Sequence, residues 1–269
     1  MILDRTYELL RTTYRKDLES LAIADVRVGL FMTAVQLSDG SFGIASSLED
    51  QHPFCSKEDR DFGEFTPLKI KGRKIMDLFN DGKDSNLHSS LKTASLNAFS
   101  SKIISSGKYR VIPNCDPIQL LNLTGNMTIT IVGAFQSYIR KIAQTGSRLN
   151  VLELNEKALQ PEQRKFYVPA EKYREVIPES DVLIITGQTL VNNTIDALLS
   201  PVKKGTKVIV TGPSGSILPD ILFEHGVSMT GASKITNPEL AFEIISQGGL
   251  GYHLFEYCAQ KICILGPDE

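Results

Sequence analysis

Between Met127 and about residue 247 the chain alternates short apolar β-type runs with helical segments, and this alternation limits its fold more than any other feature. The β-type runs are Met127-Thr-Ile-Thr-Ile-Val132, Asn150-Val-Leu-Glu-Leu154, Asp181-Val-Leu-Ile-Ile185, Lys207-Val-Ile-Val210 and the short Val227–Met229. Helical patterns at roughly 135–145, 169–177, 190–200, 217–225 and 237–247 stand between and after them. Strands and helices at this spacing predict right-handed βαβ units around a parallel sheet. From about Asp116 onward the expectation is a Rossmann-like α/β domain, with Ile262-Cys-Ile-Leu265 as a candidate last strand.

The first part of the chain has a different texture. Residues 2–20 carry Ile2, Tyr7, Leu10, Tyr14 and Leu18 at helical spacing. Val26 to Leu37, an Asp39-Gly40 turn and Phe42 to Ala45 read as a β-hairpin. A polar, acidic loop spans 47–66, and helices are predicted at roughly 70–80 and 86–105. The expected division is a small α+β domain over 1–112 and the Rossmann-like domain over 113–269. Apolar content of 42%, charged content of 22% and a net charge of -2 are those of a globular protein with no overall pull toward nucleic acid or membrane. No apolar run is long enough to span a bilayer. The N-terminus reads straight into an amphipathic helix without a signal-type apolar core, so a cytoplasmic protein is expected.

In a parallel sheet, ligands bind beyond the carboxyl ends of the strands, where helix N-termini present free N–H groups. The exits here are rich in suitable groups. They comprise Gly133 after the first strand, Glu153 near the end of the second, and Thr186, Gly187 and Thr189, then Asn192 and Thr194, after the third. Gly212, Pro213 and Ser214 follow the fourth. Each hydroxyl or amide has an equally good reading as a helix cap; their concentration on one sheet edge favours a site. Glu153 lies twenty residues beyond Gly133, where dinucleotide-binding sheets carry the acid that holds a ribose, but GxGxxG is absent. Glu153 then reads as a carboxylate for a sugar hydroxyl, a cation or an amine, or as an exposed strand-end acid. The turn at Gly212 could cradle an anion but is not a P-loop, lacking Gly-Lys-Ser/Thr.

Metal-ligand patterns are weak. His52 and Cys55 lie among Glu49, Asp50, Glu58 and Asp59, which reads either as a divalent-cation site or as a solvated acidic loop. His253, Cys258 and Cys263 do not match zinc spacings, and the cysteines are expected as buried thiols. His225 reads as a cap facing a helix C-terminus. His88 shows no partner in the sequence. No GxSxG elbow occurs, so no Ser-His-Asp set is assembled.

The run Ile184-Ile185-Thr186-Gly187-Gln188-Thr189-Leu190-Val191-Asn192-Asn193-Thr194 resembles the most recognisable stretch of a known family. Gly212-Pro213-Ser214, Pro219, Leu222-Phe223, Gly226-Val227 and Gly231 resemble its next motif. Ser95-Leu96-Asn97-Ala98 and Asp116-Pro117 resemble its N-terminal and junction motifs. Taken together, these stretches resemble the heavy-metal-chelation family, long known only as a domain of unknown function, across nearly the whole chain. The resemblance implies an enolase N-terminal-like domain before a Rossmann-like one, with the site in the cleft between them. It puts Asn97 on that cleft and, across it, Glu153, Thr189, Asn192, Thr194 and Ser214. Where relatives continue with Pro after the Gly-Pro-Ser turn, this chain has Gly215-Ser216-Ile217.

The expected function is the binding of a small polar or anionic ligand, a metal chelate or its precursor, in the interdomain cleft. The alternative is a nucleotide-dependent transferase on the Rossmann-like site. Glu153 and Asn97 are the catalytic candidates should a substrate turn over. The metal ligands stay unassigned, with a divalent or chelated metal as the cofactor class. A small molecule or metal chelate is the expected partner, nucleic acid and membrane are not, and self-association is left open.

Overall fold

The structure is a computed structural model that describes residues 1–48 and 62–269. The single N-terminal helix expected over 2–20 is two helices, Ile2–Thr13 and Arg15–Ser20, because Tyr14 leaves helical geometry at φ −121°, ψ 35°. The apolar stripe of Ile2, Leu3, Tyr7, Leu10 and Leu18 nevertheless buries as one face. The expected hairpin is a three-stranded antiparallel meander: β1 (Ile23–Val28), β2 (Met32–Leu37) and β3 (Phe42–Ser46). The long β-run from Val26 breaks at Gly29-Leu30-Phe31, where Gly29 N donates to Met32 O at 2.9 Å. The Asp39-Gly40 turn joins β2 to β3 as expected.

The helix Asn86–Ser105 is buried nearly all round, its polar Ser90, Thr93, Ser95, Asn97 and Ser100 included. Such a helix has no solvated face and must find partners for its polar groups. Ser90 Oγ donates to Ser46 O at 3.0 Å, and Ser100 Oγ accepts from Leu218 N at 2.8 Å. The helix is thus a spine stitched on one side to the meander and on the other to the second unit.

That second unit is an eight-stranded sheet of β4 (Val111–Pro113), β5 (Thr128–Val132), β6 (Arg148–Glu153), β7 (Tyr167–Pro169), β8 (Val182–Thr186), β9 (Lys207–Thr211), β10 (Val227–Ile235) and β11 (Ala259–Leu265). Their order is β4-β11-β10-β9-β8-β5-β6-β7, with β5 to β10 mutually parallel, β11 antiparallel to them, and β4 antiparallel to β11. With β5 counted first, the parallel strands follow the order of the dinucleotide-binding sheets. The mixed α/β architecture, a small antiparallel sheet beside a larger mostly parallel one, is therefore established. β7 has no apolar run to announce it, and β10 is nine residues long where a short strand was expected. The helix expected over 190–200 is split into Gln188–Val191 and Ile195–Leu199, with Asn193 left-handed at φ +57°.

Alternation along the strands divides the core. Leu183, Ile185, Val208 and Val210 join one cluster with Ile2, Leu10, Leu91 and Phe99 of the first unit. Ile129, Ile131, Ile184 and Ile209 meet Tyr138, Ile139 and Ile142 on the opposite face. The division at 112/113 falls inside β4, and we keep two domains with that division as a proposal.

Candidate functional site

β5 lies between β6 and β8, so the chain leaves it in one direction and returns on the other side; this is the switch point at which α/β sheets hold ligands. A cavity of about 740 Å³ opens there. Gly133, at φ +101°, turns the chain out of β5 where a side chain would press on Thr186. Glu153, half-buried at the end of β6, accepts from Leu154 N at 2.7 Å and Asn155 N at 3.3 Å through Oε1. Those bonds fix the carboxylate at the strand end and leave Oε2 available to the cavity. Thr189 Oγ1 donates to Thr186 O at 2.7 Å, and Thr194 Oγ1 donates to Asn192 Oδ1 at 2.7 Å. Both hydroxyl protons are thereby committed, while the Asn192 amide nitrogen has no acceptor among the described residues. Gln188, from the β8 exit, lines the same cavity; Glu171 and Tyr173 line it too and escaped the sequence reading, since nothing in the sequence revealed the edge strand β7 that precedes them.

A second space, about 550 Å³, adjoins this one and shares Leu154, Gln188 and Asn192 with it. Leu30, Phe31, Met32, Ser46, Ser47 and Leu48 of the meander form its roof. Leu30, Phe31 and Leu250 leave a partly exposed apolar rim.

Five expected residues lie elsewhere. Gly187 is buried, and its lack of a side chain lets the β8 exit touch the next turn: a Cβ there would lie 2.4 Å from Gly215 N. Ser214 is only 1% exposed, and its Oγ accepts from Ser46 N at 2.8 Å and faces Ser46 Oγ at 3.1 Å. Asn97 does not face a cleft. It is wholly buried, its Nδ2 donating to Ile44 O at 2.7 Å, to Ser214 O at 3.2 Å and to Pro213 O at 3.4 Å. A buried amide facing backbone carbonyls is bound to satisfy them, so Asn97 and Ser214 brace a seam between the units. Gly212 and Pro213 line a different cavity, with Thr211, Phe135, Asp116 and Lys261.

The histidines among the described residues have structural partners. His225 Nδ1 lies 2.8 Å from Ile221 O at a helix C-terminus, as expected, and Nε2 lies 3.2 Å from Arg5 Nη1. His88 sits 2.8 Å from Ser85 Oγ through Nδ1 and 2.9 Å from Asp81 through Nε2, the latter off hydrogen-bond alignment. Ser85 is the cap of the long helix, its Oγ accepting from His88 N at 3.2 Å, and the imidazole is 1% exposed. This Ser-His-Asp grouping closes a helix start. Burial holds the imidazole below its ordinary pKa, with Asp81 opposing. Cys115, Cys258 and Cys263 are buried free thiols. Among the described residues no three His, Cys, Asp or Glu side chains are grouped to hold a metal. The expected cluster from Glu49 to Asp59 lies outside the described residues. No helix among them is long and apolar enough to cross a membrane.

The fold and this edge define a two-unit α/β protein with a Rossmann-like sheet. Residues 116–264, more than half the chain, match the family described as "Putative heavy-metal chelation", and residues 12–100 match a second domain of that description. The chain belongs to this family. A family protein of unknown function from Pyrococcus horikoshii superposes with a TM-score of 0.78 over 98% of this chain and 100% of its own, at 24% identity. Another, from Desulfitobacterium hafniense, gives 0.71 over 97% and 98%, at 17% identity. At these identities the likeness is one of fold. An uncharacterized protein of Methanocaldococcus jannaschii is 29% identical over 117 residues, 38% of this chain and 44% of that protein, so the match spans less than half its length.

Proposed function

We propose that this is a cytoplasmic protein that binds a small oxygen-rich ligand, a metal chelate or the precursor of one, in the switch-point crevice and the adjoining space under the meander. The observation that carries this reading is the convergence of Gly133, Glu153, Thr186, Thr189, Asn192 and Thr194 on one cavity. With Glu171, its groups are two carboxylates, amides and hydroxyls, which suit hard or already chelated cations better than a bare soft metal. The donor set fits a metal that arrives with its own ligands, since fewer than three ionisable donors converge among the described residues. Glu153 would anchor a cationic or hydroxyl edge, and the Asn192 amide would orient an acceptor.

Calorimetry with nickel(II) and magnesium(II), each alone and as its citrate chelate, tests the reading. One saturable chelate site per chain, weakened about tenfold or more by Glu153→Gln, is expected for the loss of one charge-assisted contact. Absence of heat with all four probes, or binding indifferent to Glu153→Gln and Asn192→Ala, would sink it. The strand order, with Glu153 at the carboxyl end of the second strand, supports a second reading, a nucleotide-dependent transferase. Thermal stabilisation by ATP or NAD that disappears in Glu153→Gln would select it.

A further inference from the structure

On the face of the large sheet away from the meander, a separate cavity of about 380 Å³ lies over β10 and β11. It shares only Phe135 with the switch-point crevice. Its walls are aromatic. Phe135 and Tyr138 stack with centroids 5.3 Å apart at the start of the helix Gln136–Ala143, and Tyr252 and Phe255 come from the helix Gly251–Tyr257.

The donors and acceptors along these walls decide what such a space would accept. Asp116 is fully engaged: Tyr138 donates its hydroxyl to Oδ1, and Lys261 Nζ lies 2.6 Å from Oδ2. Lys261 spends one of its three N–H groups there and sits 5.3 Å over the Phe255 ring, half-exposed. Ser233 is opposite Lys261 in the β10–β11 register, so the two side chains leave the same face. Ser233 is 9% exposed, and its hydroxyl has no hydrogen-bond partner among the described residues. No side chain caps the first turn of the helix that carries Ser137 and Tyr138. The cavity therefore has donors to spare and its carboxylate already spent, between flat apolar walls. Burial of an unpaired hydroxyl carries a standing cost that a bound acceptor removes.

We propose that this cavity binds a small aromatic carboxylate, the ring lying among Phe135, Tyr138, Tyr252 and Phe255 and the carboxylate meeting Lys261 and Ser233. The site is independent of the crevice and of any metal. Because the chain has no tryptophan, the fluorescence of 2-naphthoate can be followed with little protein background. Saturable binding is expected, about tenfold weaker for 2-naphthamide and for Lys261→Met. Tyr252, 67% exposed, can be removed without disturbing the fold; Tyr252→Ala is expected to weaken binding roughly threefold through lost ring contact. Glu153→Gln should leave the affinity unchanged. The proposal is overturned by a flat titration of the unaltered chain, by equal affinity for naphthoate and naphthamide, or by full affinity in Tyr252→Ala. Loss of binding in Glu153→Gln overturns it as well, by moving the ligand to the crevice.

Discussion

The exits of β5, β6 and β8 and the exit of β9 carry the same kinds of residue, yet they meet different fates. The first three open onto the switch-point crevice with Glu153 and Asn192 facing space. At the last, the Ser214 side is closed by the first unit, where Asn97 reaches the Pro213 and Ser214 carbonyls and Ser214 takes a hydrogen bond from Ser46 N. A strand exit becomes a site only where no neighbour arrives to use its polar groups.

Four experiments would break or sharpen that contrast. The largest effect is expected from Asn97→Leu, which leaves the Ile44 and Ser214 carbonyls unpaired in the core, while Pro213 O keeps its bond from Ser216 Oγ at 2.9 Å. A loss of about 2 kcal/mol in urea unfolding follows from the cost of two buried unpaired carbonyls, partly offset by removal of the unpartnered Asn97 Oδ1. Unaltered stability together with lost chelate binding would return Asn97 to the ligand. Ser214→Ala should cost about 1–2 kcal/mol by the same measurement, since Ser46 N is left without its acceptor. The crevice behaves in the opposite way: Asn192→Ala should weaken chelate binding severalfold while stability falls by no more than about 1 kcal/mol, the cost of the two Thr194 bonds to Asn192 Oδ1. A stability loss as large as that of Asn97→Leu would make the crevice a second seam.

The smallest effect concerns His88, at the far end of the spine helix. Its folded pKa lies below the ordinary value of about 6.5 because burial disfavours the cation. The unfolded chain therefore takes up a proton before the folded one does. Stability from this group is complete above about pH 6.5 and declines as pH falls below it toward the depressed folded pKa. Unfolding midpoints at about pH 7.5 and 5.5 should differ more in the native chain than in His88→Gln. An identical difference in both would remove the imidazole as the cause.

Periodicity alone determined much of this molecule. The apolar runs of five or six residues around Ile131, Val151, Ile184 and Ile209 could satisfy themselves only inside a covered sheet, and the helical spacing between them dictated parallel crossovers. Gly133 and Glu153 were legible as crevice residues for the same reason, since each sits at the end of a strand that can be located by pattern. β7 and the full lengths of β10 and β11 were not legible. β7, at the sheet's edge, has no apolar run, and β10 and β11 owe their length to pairing that extends past β9.

What the tertiary structure alone decided is which polar groups remain for a ligand. Ser214 and Asn97 look, in sequence, like the same kind of exit and helix residue as Thr189 and Asn192. Only the arrival of Ser46, 168 residues before Ser214, turns one pair into a sealed joint. The same holds for Asp116, Tyr138 and Lys261, gathered from three distant stretches into one aromatic pocket. Local sequence fixes where a side chain can sit along its element; whether its hydrogen-bonding capacity is spent there depends on contacts that only chain-wide packing brings together.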